Sequence, residues 1–146
     1  MADLTLTSAN VAPSDNAVII SGIAAAAIAA GQTVYEDTFT LDSIGRPKFR
    51  LYDANASTPT AMLSGLCGIA ANTAGINQPL DVAISDPAFV HGLSVVTKGD
   101  ILIASATPGA IAPVADLASG WRPAVVLIAT SVTAGVLAIA QNTTAK

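Results

Sequence analysis

The chain has 146 residues, only 11% of them charged, with six Lys or Arg against ten Asp or Glu and a formal net charge of −4. So few cations give the counterion-release attraction of nucleic-acid binding little to work with, which argues against direct contact with DNA or RNA. Ordinary soluble domains carry about 25% charged residues to keep their surface solvated. This chain, with a mean hydropathy of +0.61, therefore either enters a membrane or hides much of its surface against other protein.

At the amino terminus, MADLTLTSANVAPSDN is acidic and polar and lacks the basic leading segment of a secretory signal. Within it Leu4 and Leu6 alternate with Thr5 and Thr7, so LTLTS (4–8) reads as a strand with one apolar face. Such an arm suits addition to the exposed sheet edge of a partner, with Asp3, Leu4, Thr5, Leu6 and Thr7 as the contact residues. The run AVIISGIAAAAIAAG (17–31) follows, with no charge between Asp15 and Glu36. Ala is its commonest residue, and it is broken by Ser21, Gly22 and Gly31, short of the about 20 strongly apolar residues of a spanning helix. Its first part, 17–23, is continuous and β-branched, the pattern of a strand buried on both faces. Residues 24–30 fit either a short helix stopped by Gly31 or extended structure packed through methyl groups, and the extended reading is favoured.

TVYEDTFTL (33–41) and PKFRLYD (47–53) flank a turn carrying Asp42, Gly45 and Pro47, and so predict a hairpin. Phe49 and Leu51 face one way and Lys48, Arg50 and Tyr52 the other. ANASTPT (54–60) reads as a loop, with a helical turn starting at Thr58 and Pro59. Further strands are expected within 61–71, 78–85, 88–96, 100–105, 122–130 and 136–140, separated by turns at TKGD and at 131–135. Eight to ten short strands with no linker or repeat define an all-β fold: a single compact β-barrel or sandwich over 17–146, preceded by an extended N-terminal arm over 1–16.

Chemistry finds little to use. His91 is the sole histidine, so no two-His metal site or His relay exists within one subunit, and FVHGL suggests a structural strand position. Cys67 is also alone, which excludes an intrachain disulfide and suits a reducing compartment. Its apolar neighbours would raise its pKa rather than activate it. The sequons at Asn55 and Asn142 then count as chance matches. Glu36 and Asp37 point to opposite strand faces and cannot act as a carboxylate pair. Asp42, Asp53, Asp86, Asp100 and Asp116 sit beside turn residues or at strand ends, where Asp bonds local amides. No phosphate-loop, dinucleotide or zinc-protease motif is present, so no catalytic, cofactor or metal residue is assigned. Arg46, Lys48 and Arg50 hold half of the basic residues within five positions, as the wet face of a hairpin or as a partner contact. Trp121, the sole tryptophan, reads as a packing or interface anchor at the start of a strand.

The run GDILIASATPGAIAPVADLASGW, followed by VVLIATS, resembles small capsid decoration (cement, or head-stabilising) proteins of tailed double-stranded DNA bacteriophages. AGQTVYEDT, YDANASTPTAMLSGLCGIAAN and NQPLDVAIS resemble that family in the same order, so the likeness spans roughly residues 30 to 140. Family members usually have Gly where Ala110 stands, and plainer strands where GLCGIAA and FVHGLSVV stand. The resemblance implies a jelly-roll-like or β-tulip-like barrel that trimerises on the outside of an icosahedral shell. There, at three-fold and quasi-three-fold positions, it would clamp the major capsid protein against the pressure of packaged DNA. It further implies assembly in the host cytoplasm and residence on the virion surface, with no membrane, nucleic acid, small-molecule substrate or cofactor involved. Two other classes remain open from the residues alone: a head-fibre base or tail component, and a trimeric β-fold hydrolase with sites between subunits.

Overall fold

The structure, a computed structural model, describes residues 3–57, 62, 65–122 and 124–141. Among these, nine strands form: β1 Val18–Ala24, β2 Thr33–Leu41, β3 Pro47–Leu51, β4 Cys67–Ala70, β5 Pro79–Val90, β6 Ile101–Ala104, β7 Ile111–Pro113, β8 Ala124–Ala129 and β9 Ala134–Gln141. Single 3-10 turns, Ser8–Asn10 and Val114–Asp116, are the helical elements. The fold is all-β, as expected.

Strands β1, β3, β2, β4 and β5 pair in that order, and β5 returns to β1, closing a five-stranded barrel. β1 makes this closure by running parallel to β3 at Ile23–Ala24 and antiparallel to β5 along 18–23. The 12-residue β5 outlasts the barrel, and its second half pairs with β9, opening a sheet of order β5-β9-β8-β6-β7. Pro87 lies in β5 at the irregularity between Asp86 and Phe89, where its missing N–H costs no regular ladder bond.

Side chains alternate between two cores. Ala70 and Val82 point with Val34, Phe49 and Leu80 into one buried cluster, while Ile69 and Ala83 point with Phe89, Leu102, Leu127 and Leu137 into the other, which joins barrel and sheet. Each large side chain fully removed from water contributes about 1.5–3 kcal/mol, and Tyr52, Phe49 and Phe89 are the bulkiest of them.

Several elements differ from the sequence reading. LTLTS is not a ladder strand: Leu6 makes one isolated bridge with Leu93, and a 3-10 turn begins at Ser8. β1 is not buried on both faces, since Val18 and Ile19 at its start are exposed. No helix forms over 24–30; β1 ends at Ala24 and Ile28 makes a two-bond bridge with Ala74. Residues 88–96 are not one strand: 88–90 belong to β5, and the chain then turns. The loop 105–121 contains β7, which folds back on β6, because Gly109 adopts φ +78° in the turn between them. The helical turn expected at Thr58 and Pro59 lies outside the described residues.

Candidate functional site

Residues 3–12 lie along the domain rather than away from it. The Leu4 N–H donates to the Ile111 carbonyl at 3.0 Å, the Thr7 N–H to the Gly92 carbonyl at 2.8 Å, and the Ser94 N–H to the Thr5 carbonyl at 2.9 Å. Ala12 and Val90 exchange two bonds, each 3.0 Å. Side chains add to these: the Ser94 hydroxyl accepts the Thr5 N–H at 3.2 Å, and the Ser105 hydroxyl donates to Asp3. Just beyond, Asp86 accepts both the N–H and the hydroxyl of Ser14. Burial raises the Asp86 pKa, but the Ser14 hydroxyl, the Ala88 N–H and the Ser14 N–H outweigh it and leave the carboxyl below its ordinary value.

The seat fits because two glycines let the arm approach. A Cβ at Gly31, where φ is +93°, would stand 2.5 Å from a Leu6 methyl and 2.8 Å from Val11. At Gly92, where φ is +67°, it would stand 2.6 Å from the Thr7 carbonyl oxygen. Leu4, Leu6 and Val11 thereby pack against the larger core while Thr5 and Thr7 remain exposed. Sequence reading had singled out the arm but not its seat, 90–94, whose only signal was Gly92 following His91.

Beside the arm, a cavity of about 420 Å³ is lined by Thr7, Asn10, His91, Ser94, Val132 and Thr133, among others. His91 is 1% exposed. Its Nδ1 accepts the Leu93 N–H at 3.0 Å, so the neutral ring carries its proton on Nε2, which has no partner among the described residues. Burial holds its pKa below the ordinary imidazole value.

The basic residues are divided rather than gathered. The Arg46 Nε meets Asp42 at 2.7 Å, and the Arg50 Nε meets the buried Asp37 at 2.8 Å. Lys48, the one of the three with no ion pair among the described residues, lines a cleft of about 370 Å³ with Arg46, Asp42, Ser43 and Asn77. Trp121 is half-buried against the larger core and precedes β8 by three residues instead of starting it. Next to it, Arg122 donates its N–H to Ala54 and an Nη1 proton to Ala56, pinning this segment to the loop after β3.

Apolar residues remain in solvent on the outer sheet. Ile101 faces Ile128 across β6 and β8, and Ile128 faces Val136 across β8 and β9, so the three form one lateral row. They are 40%, 46% and 37% exposed.

Cys67 packs half-buried on the larger core, and burial pushes its thiol up to about 12. Among the described residues no three His, Cys, Asp or Glu side chains gather to hold a metal ion. None of the described helices is long and apolar enough to cross a membrane. No protein-family model, curated protein or solved structure matches the chain.

Proposed function

We propose that this protein is a structural component of a tailed-phage virion, a decoration protein that binds the outer capsid surface as a trimer and stabilises the shell against DNA pressure. The observation that carries the reading is the row Ile101, Ile128 and Val136, set side by side in solvent on a chain with only 11% charged residues. Apolar surface of this kind marks a protein contact. If self-association and capsid contact together cover about 1,500 Å² of mostly apolar surface per subunit, the gross gain is tens of kcal/mol before association costs are subtracted. Many copies then act together through avidity.

In this reading the partners are two further copies of the chain and the major capsid protein, and the protein runs no reaction. Asp3, Leu4, Thr5, Leu6 and Thr7 grip the shell by adding a strand to a sheet edge. Their backbone bonds to Ser94, Gly92 and Ile111 are exchanged for equivalent bonds on the capsid subunit, so the gain comes from new side-chain contacts. Lys48, with Arg46 and Arg50 at its sides, faces an acidic patch of the partner, and Trp121 stiffens the 118–122 segment behind an interface.

The test is a solution mass followed by titration onto phage heads emptied of DNA. A trimer that saturates the heads in hundreds of copies is the expected result. A few copies per particle would point to a head-fibre or tail part, and a monomer that ignores heads would end the reading.

A further inference from the structure

The backbone bonds that flank Leu6 fall on Gly92 and Ser94, those of Ala12 fall on Val90, and His91 stands between Val90 and Gly92. The imidazole touches the arm's support through one bond only, the Leu93 N–H to its Nδ1. That bond requires Nδ1 to be unprotonated, because a protonated Nδ1 is a donor and would face another donor. The surroundings offer no rescue. The arm contributes Thr7 and Asn10 to the cavity, and the turn between β8 and β9 contributes Val132 and Thr133; none of these carries a charge. The acid on the same strand, Asp86, is taken up by Ser14, and the arm's own acid, Asp3, by Ser105. Directly after the segment, Val95 holds φ +55° at 90% exposure, a strained setting for a β-branched residue. The cavity leaves room for the ring to swing and for water to enter.

We propose that His91 is an acid-operated latch: proton uptake at Nδ1 breaks the Leu93 bond, disorganises 92–94 and frees residues 3–12 while the barrel stays folded. The burial that depresses the imidazole's proton affinity works in the same direction, since the proton is then taken up in the open form. The device concerns this chain alone and stands or falls independently of any capsid.

Amide hydrogen exchange of the full chain, corrected for the intrinsic pH dependence of exchange, reads the latch directly. Between pH 7 and pH 5 the protection of the Leu4, Thr7, Ala12 and Ser94 amides should fall by about tenfold or more, following one proton per opening event. Over the same range the barrel amides of Tyr52 and Ala70 should keep theirs. The arm's transition should share its midpoint with the His91 ring carbon resonances. In His91→Asn, whose amide oxygen can replace Nδ1 as acceptor and does not titrate, the arm should stay protected to pH 5. Loss of the arm at the same pH in this variant would take the effect away from His91 and overturn the proposal. So would an arm that stays protected in the wild-type chain while His91 titrates, or barrel amides that open in step with the arm. Should His91→Asn fail to fold, the shared or separate midpoints in the wild-type chain decide the matter.

Discussion

Leu6 and Leu93 face each other as a non-hydrogen-bonded antiparallel pair, with the Thr7 N–H on the Gly92 carbonyl at one side and the Ser94 N–H on the Thr5 carbonyl at the other. Pairs of this type bring their Cα atoms to about 4.5 Å, within the range that a disulfide spans. The double variant L6C/L93C, made with Cys67→Ala, should therefore oxidise readily. Closing so long a loop should stabilise the protein by about 2–4 kcal/mol, read as a rise in the urea midpoint that reductant removes. If the arm has to leave its seat to grip a shell, the oxidised form should fail to bind emptied heads and the reduced form should bind them. Equal binding by both forms would show that the arm works in place.

Acid should weaken the fold in two stages, and the sign follows from which state takes up the proton. His91 is depressed below 6.5 when folded. Its contribution is therefore present above that value and lost as the pH falls below it, by up to about 1.4 kcal/mol per pH unit. Asp86 is depressed below 3.8, so its contribution is present above that value and disappears only at stronger acidity. Ser14→Ala removes the hydroxyl donor and should cost about 1.5–3 kcal/mol at neutral pH. Since that cost belongs to the ionised carboxylate, wild type and S14A should converge in stability as acid protonates Asp86, at a pH below 3.8. Unfolding in urea across pH 2–8 measures both stages, and a constant gap between the two proteins would contradict the assignment.

The two ion pairs of the β2–β3 hairpin should respond very differently to loss of their arginines. Asp37 is 6% exposed at its side chain, whereas Arg50 is 41% exposed. Arg50→Met thus removes the guanidinium from a buried carboxylate that keeps the Phe39 N–H, and should cost about 1–2 kcal/mol, between the values for exposed and buried pairs. Arg46 is 52% exposed, and Arg46→Met should cost less. Asp42→Ala should matter more than Arg46→Met, because Asp42 also accepts the Ile44 and Arg46 amides and so builds the turn. The order R50M above R46M, and D42A above R46M, can be read from chemical denaturation midpoints.

The parts of the fold legible in the sequence are those fixed by local chemistry. The hairpin of β2 and β3 announced itself because β-branched and aromatic runs flank Asp42, Gly45 and Pro47, and the turn acids behave as expected. Asp42, Asp53, Asp86 and Asp100 each accept a nearby backbone N–H. Barrel closure was not legible, because β1 meets β5 across some sixty residues of chain and a hydrophobic pattern does not name its partner. Pro87 hid the continuity of β5, since a proline normally ends a strand unless an irregularity receives it. Burial was misjudged where a strand lacks polar alternation: the continuous β-branched run 17–23 reads as interior, yet Val18 and Ile19 stand in solvent. For the same reason the arm was visible and its seat was not, because the seat depends on Gly31 and Gly92 meeting from distant parts of the chain.

The exposed position of Ile128 gives the most direct test of self-association. Ile128 lies between Ile101 and Val136, is 46% exposed and belongs to neither buried core. Ile128→Lys should then cost the single subunit about 1 kcal/mol, the scale of strand-surface preferences. At the centre of an apolar contact, by contrast, an unpaired ammonium has to be desolvated, and one such group per subunit is enough to undo the assembly. Sedimentation should show wild type as a trimer and I128K as a folded monomer, while Lys48→Ile, on the cleft beside Arg46, should leave the mass unchanged. If I128K sediments as wild type does, the row on β6, β8 and β9 is not the self-contact, and the apolar surface must be covered by the capsid instead.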